Sequence, residues 1–183
     1  MVKIGFNKDM EKLLTALKGQ TLISLEYGKD PIENQAYGNM RLHFDKVTLE
    51  INNEEQPFPF FDDTEDIACF SCRKVKNEIP FCPIASAQSS QVITINETVT
   101  GLSIIRDHVT VNQGEYEPEM DMALIIYTTG KPIMLAKGIW WSEVITIVRN
   151  DDFEKLVPQN DVIDEFSEEG TNTVTLIRSK VSL

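Results

Sequence analysis

Met122-Ala123-Leu124-Ile125-Ile126-Tyr127-Thr128 runs through Thr129-Gly130-Lys131-Pro132 into Ile133-Met134-Leu135-Ala136-Lys137-Gly138-Ile139. Two apolar runs of strand length flank four residues in which glycine permits a tight turn and proline cannot continue a ladder. The chain is therefore expected to double back here as an antiparallel hairpin. The same period-two reading extends to both sides. Thr21 to Tyr27 reads as a strand, with Leu22 facing opposite to Ile23 and Leu25, and Tyr37 to Asn52 as one long strand or a bent pair. Val47, Leu49 and Ile51 share one face of it. Ile67 to Val75, Val92 to Ile95, Leu102 to Val111, Glu143 to Arg149 and Thr173 to Val181 complete the strands. Pro57 and Pro59 exclude a central strand across Gln56 to Phe61, which is expected to be a loop or a sheet edge.

Few segments are helical. Asn7 is a natural N-cap, Asp9 and Glu11 suit the positive end of a helix dipole, and Met10, Leu13, Leu14 and Leu17 follow one stripe until Gly19 stops it. Asn150 can cap a short helix from Asp151 to Val157, stopped by Pro158, and Asp161 to Phe166 reads as a further helical turn. Crossover helices are too few for a parallel sheet. The expected fold is α+β, mainly antiparallel, with sandwich or barrel-like halves, an N-terminal helix and a short C-terminal helix. Pro80, Pro83 and the small polar run 85–90 suggest a division into 1–84 and 85–183. Phe44-Asp45-Lys46-Val47-Thr48-Leu49 faintly echoes Arg106-Asp107-His108-Val109-Thr110-Val111, so either a degenerate duplication or one continuous domain fits.

The chain of 183 residues holds 29 Asp and Glu against 17 Lys and Arg, a formal charge of −12. The acids concentrate. Seven lie between Val47 and Cys72 with no Lys or Arg among them; Glu115, Glu117, Glu119 and Asp121 alternate; eight more lie between Asp151 and Glu169 around a single Lys155. Such a surface repels nucleic-acid phosphates and anionic lipid and attracts cations. No apolar run approaches the roughly 20 residues of a membrane helix, and the first residues lack the apolar core of a signal peptide. Three cysteines, an odd number, argue against a disulfide framework. The expected setting is cytoplasmic, with no membrane and no nucleic acid.

Motifs for chemistry are weak. Cys69-x-x-Cys72 with Cys82 could supply three zinc ligands, with His43 or His108 as a fourth, but a second close pair is missing and alternation sends Cys69 and Cys72 to opposite faces. Reduced thiols are the preferred reading, and no metal or cofactor is expected. On strand alternation His43 shares a face with Asp45, Val47 and Leu49, whereas His108 lies with Arg106 and Thr110, and nothing joins the two as a catalytic pair. Gly130-Lys131 lacks the rest of a phosphate loop, since Ile125 and Pro132 stand where Gly and Ser or Thr belong. Asp62 to Asp66 is acid-rich but lacks the spacing and glycine of a calcium loop. No motif is specific enough to name a family. In general style, an acidic β-rich chain without an active-site motif, the sequence is similar to many small bacterial proteins.

The leading expectation is a non-catalytic acidic module that binds a cationic protein, for instance an inhibitor or immunity-type protein. Its candidate contacts are Glu54, Glu55, Phe58, Phe60, Asp62, Asp63, Glu115, Tyr116 and Glu117, with Phe61 among the aromatics taken as exposed. The alternatives are a small-molecule site or enzyme near Trp140, Trp141, Glu143 and His43, and a homo-oligomeric structural component of viral type.

Overall fold

The computed structural model describes residues 1–28, 32–76, 78–84, 90–167 and 171–183. Most of the run 85–90 chosen as a boundary lies outside the described residues. Eleven strands and two short α-helices form the fold: β1 (Val2–Ile4), α1 (Lys8–Thr15), β2 (Thr21–Gly28), β3 (Gln35–Tyr37), β4 (Asn39–Phe44), β5 (Thr48–Phe60), β6 (Asp63–Val75), β7 (Ser90–Val111), β8 (Pro118–Thr128), β9 (Ile133–Ala136), β10 (Val144–Val148), α2 (Gln159–Phe166) and β11 (Val174–Ser182). The hydrogen-bonded path is open and runs β3-β10-β9-β8-β7-β2-β4-β5-β6, with β1 added parallel to β8 and β11 antiparallel to β7. Every other pair among the described residues is antiparallel.

β7 ties the sheet together. Residues 90–98 pair with β2, those from Val99 onward with β8, and 103–111 with β11. Hydrogen bonds also cross the expected division through β3–β10 and β1–β8. The opening hairpin forms as read, with Ile126 opposite Ile133 and Ala123 opposite Ala136. Its unbroken apolar run has a plain cause: both faces are buried. Leu124, Ile126, Ile133 and Leu135 enter one core with Leu42, Leu49, Ile51 and Phe70 of β4 to β6. Ala123, Ile125, Met134 and Ala136 enter a second, with Trp140, Phe153, Val162 and Phe166. Each buried Leu, Ile, Val, Met or Phe among them contributes about 1.5–3 kcal/mol on burial.

α1 starts where Asn7 Oδ1 accepts from the backbone N–H of Asp9 and Met10, both at 3.0 Å. It buries Leu14, and Leu17 just beyond it, in the first core. Local readings differ at two places and are sharpened at two others. Leu22 and Leu25 lie in the same core because a bulge between Leu22 and Ser24 adds one residue and flips the facing, leaving Ile23 out in solvent. Of the two alternatives for Tyr37 to Asn52 the bent pair is present, β4 and β5 turned by the bond from Phe44 N–H to Val47 O at 2.8 Å, while Tyr37 itself ends β3. Hence Phe44 to Val47 is a turn while Arg106 to Val111 lies within β7, so the two echoing segments play different structural roles. Asp151 to Val157 supplies only a 3-10 turn at Phe153–Lys155, and Pro158 does not stop a helix but stands as N-cap of α2.

The prolines of β5 obey the ladder. Asn53 N–H donates to Gly38 O and Glu55 N–H to Glu143 Oε1, so odd-numbered N–H groups point away from β6. Pro57 and Pro59 occupy the next odd positions, on the side facing no strand, while β5 stays paired with β6 down to Phe60–Asp63. This stretch is an edge and not a loop. The outward face of the sheet carries a charge-alternating row, Glu26, Arg41, Glu50 and Arg73, set side by side by the register. Arg41 is fixed there by Glu50 Oε2 at 3.2 Å and by the carbonyls of Ile79 and Pro80.

Candidate functional site

The β5–β6 hairpin closes on a two-residue turn, Phe61 and Asp62, with Phe61 in the left-handed region at φ 51°. A non-glycine residue there costs about 1–3 kcal/mol and must be held by its surroundings. The holding contacts are aromatic. The Phe61 ring lies 4.8 Å from that of Tyr116, and Phe60 lies 5.2 Å from Tyr116, 6.0 Å from Trp141 and 6.5 Å from Phe166. Tyr116 belongs to the β7–β8 turn, whose Asn112, Gln113 and Gly114 all have positive φ. Asn112 stiffens that turn by donating to Glu115 Oε2 at 2.8 Å and to Asn172 Oδ1 at 2.9 Å. Phe166 ends α2. One end of the molecule thus joins the hairpin tip, the β7–β8 turn and the C-terminal helix, one segment from each acidic block.

The carboxylates here are gathered and unpaired. Asp62, Asp63, Glu65, Asp66 and Glu115 are exposed and Glu117 is half-buried. Among the described residues none of them, nor Glu54 or Glu55, has a Lys, Arg or His within ion-pair distance. Elsewhere among the described residues eleven acids are paired, although Asp45, Glu78, Glu143, Asp161, Asp164 and Glu165 have no such partner. Arg106 binds Asp121 at 2.7 Å and Glu119 at 3.7 Å, so the alternating block splits into two inward and two outward members. Asp151, Asp152 and Glu154 pair with Lys180, Lys155 and Arg178.

The structure brings together Phe58, Phe60, Asp62, Asp63, Glu115, Tyr116 and Glu117 at this end, with a correction for Tyr116. Only 4% exposed, Tyr116 is not a surface anchor but the support beneath Phe60 and Phe61. Phe58, Phe60 and Phe61 are likewise half-buried against the second core. Glu54 and Glu55 lie further along the hairpin. Glu54 borders a cleft of about 320 Å³ with Asn52, Gln56, Cys69 and Ser71.

Beneath the aromatic cluster lies a feature that sequence reasoning missed. Lys137 is fully buried at the end of β9, where its ammonium donates to Ala68 O and, at 2.9 Å, to Trp140 O. Burial pushes its pKa down to about 7. Glu165 of α2 is pushed up to about 7 by burial, against the pull of Lys137. Burial also raises the Cys69 thiol, again opposed by Lys137. The Trp140 indole packs edge-on against Phe166 at 4.6 Å. Its Nε1, like the Tyr116 hydroxyl, is buried without a hydrogen-bond partner among the described residues. Each orphan costs on the order of 1–3 kcal/mol. In sequence, Lys137 falls within the expected strand Ile133 to Ile139 with nothing to mark it as interior; the Trp140 loop and β6 closing over it make it so.

The remaining candidates separate. Cys69 and Cys72 do face opposite ways, Cys72 into the first core and Cys69 toward the second, while Cys82 is exposed beyond β6. Among the described residues no three His, Cys, Asp or Glu side chains converge as metal ligands. His43 does not share a face with Leu49. The turn after Phe44 sets it opposite Thr48, with Nδ1 3.2 Å from Thr48 Oγ1 and Nε2 2.9 Å from Glu26 Oε2. Among the described residues no hydrogen bond, ion pair or ring contact joins it to Trp140, Trp141 or Glu143. Glu143 instead bonds Glu55 N–H and the Tyr37 hydroxyl. Of the two tryptophans, both in a turn, Trp140 is core and Trp141 half-buried at the rim. No helix among the described residues is long and apolar enough to cross a membrane. Comparison of the chain with protein-family models, curated proteins and solved structures finds no match.

Proposed function

We propose that this chain is a non-catalytic binding module whose acidic, aromatic-centred end recognises a cationic protein in the cytoplasm, in the manner of an inhibitor that covers a basic enzyme surface. One observation carries the reading: the unpaired carboxylates Asp62, Asp63, Glu65, Asp66, Glu115 and Glu117 rim the half-buried rings of Phe60, Phe61 and Trp141. Unpaired rim charges accelerate encounter and select the sign of the partner, while partly buried aromatics supply contact area at low entropic cost. The test combines retention of proteins from cell lysate at low salt with hydrogen exchange on the purified complex. A basic partner that protects residues 57–66 and 112–117, and that an Asp62→Lys/Asp63→Lys/Glu65→Lys/Asp66→Lys variant no longer retains, is the expected result. Protection confined to other surfaces, or retention unchanged by charge reversal, refutes the reading.

A second reading, a small-molecule site near Trp140 and Glu143, draws on the orphaned Trp140 Nε1 and Tyr116 hydroxyl and on the Lys137–Glu165 pair below them. It requires a ligand with hydrogen-bond acceptors that perturbs Trp140 fluorescence. A metabolite screen that leaves that fluorescence unchanged rejects it.

A further inference from the structure

The lysines at the opposite end of the same hairpin stand out against the acidic whole. Most basic side chains here are neutralised: Lys3, Lys12, Arg41, Arg73, Arg106, Arg149, Lys155, Arg178 and Lys180 each meet a carboxylate within 4 Å. Lys46, Lys74 and Lys76 meet none among the described residues, although the chain carries 29 acids. All three border one open cleft of about 590 Å³, larger than the clefts beside Glu54 and Arg41. Its remaining lining is Val47, Thr48, Val75 and a single acid, Glu78.

The register produces this convergence. Thr48 pairs with Val75 at the base of the hairpin, so the β4–β5 turn that holds Lys46 lies beside the end of β6 that holds Lys74 and Lys76. The acidic tip is twelve residue steps away, roughly 40 Å along a strand rising about 3.3 Å per residue. The hairpin is therefore charged oppositely at its two ends. Three exposed ammonium groups around one concavity repel one another, and a multiply charged anion seated among them relieves that repulsion. A lysine ammonium is a compact point charge suited to phosphate, without the planar fork that arginine offers a carboxylate. None of the described lining residues is aromatic, so none of them stacks a nucleobase.

We propose that this cleft binds a ligand carrying several phosphate charges, a polyphosphate or a phosphorylated small molecule. The site is separate from the acidic end and does not depend on the partner proposed for it. The experiment is isothermal titration of the full chain with tripolyphosphate and with citrate, at two salt concentrations. Tripolyphosphate should bind, more weakly as salt rises, and more tightly than citrate. Lys46→Gln/Lys74→Gln/Lys76→Gln should weaken it by at least about tenfold, the equivalent of 1.4 kcal/mol. Glu78→Gln should tighten it. Lys8→Gln/Lys18→Gln, which removes two lysines outside the cleft that have no carboxylate partner among the described residues, should leave it unchanged. Circular dichroism checks that each variant is folded. Absence of tripolyphosphate binding overturns the proposal, as does equal affinity for citrate or equal weakening by the Lys8 and Lys18 changes.

Discussion

Replacing Lys137 with Met tests the buried site through its effect on pH-dependent stability. The lysine ordinarily titrates near 10.5 and is lowered to about 7 in the fold. The sign follows directly. Between pH 7 and 10.5 the unfolded chain holds a proton on Lys137 that the folded chain has released, so stability rises with pH across that window. One group with these folded and unfolded pKa values gives a gain of about 2 kcal/mol from pH 7 to pH 9. Glu165 acts oppositely. Raised from 4.5 to about 7, it keeps a proton in the fold that the unfolded chain has lost, so its contribution falls as pH rises from 4.5 to 7 and is nearly spent above that. Met fills nearly the same volume without titrating, and it removes the pull that Lys137 exerts on Glu165, so the residual slope of the variant is flat or negative. Cys72, raised to about 12 by burial, titrates in both proteins and cancels in the difference. The assay is urea unfolding at pH 7, 8 and 9, followed by circular dichroism, for wild type and Lys137→Met. The readout is the slope with pH and not the absolute stability, because the variant also strips Ala68 O and Trp140 O of their donor. Parallel slopes would show that Lys137 stays protonated in the fold, and would refute the description of the site.

Arg178→Ala removes the guanidinium that holds the fully buried Asp107 through both carboxylate oxygens at 2.7 Å; it should cost about 3–5 kcal/mol, read as a large fall in thermal midpoint. Asn7→Ala deletes the two cap bonds of α1 and should cost about 1 kcal/mol, a small shift of the urea midpoint with unchanged slope. Thiol labelling under native conditions should modify Cys82 first and leave Cys72 until the chain unfolds, since Cys82 is exposed and Cys72 buried; equal rates for the two would contradict the packing of β6.

The parts of the fold that sequence made legible are those set by local chemistry. Asn7 with Asp9 and Glu11 could only begin a helix, and Thr129 to Pro132 could only reverse the chain. What escaped depends on partners distant in sequence. The bulge at Leu22 and Ser24 exists because β2 must match β4 and β7 at once, and nothing in Thr21 to Tyr27 announces it. The turn at Phe44 to Val47 has neither glycine nor proline, so alternation ran through it and placed His43 on the wrong face. At the candidate site the acids and rings were legible, being a matter of residue type. The burial of Tyr116 and the interior position of Lys137 were not, because each requires three chain segments to close over it.

The acidic hairpin tip also answers a need of the fold itself. β5 and β6 extend past the rest of the sheet as an exposed edge, and such edges recruit other chains unless charge or proline blocks them. Pro57 and Pro59 remove two N–H groups from the open side of β5, and Asp62, Asp63, Glu65 and Asp66 crowd the tip with like charge. Edge protection and partner recognition make different demands on those carboxylates. Protection needs like charge of either sign, so four lysines would serve as well as four acids. Recognition of a cationic surface needs negative charge and no other. Charge reversal at the tip therefore separates the two roles: a variant that stays monodisperse yet loses its partner assigns the sign to recognition. Neutralisation to Asn and Gln weakens both at once, so it cannot make that assignment.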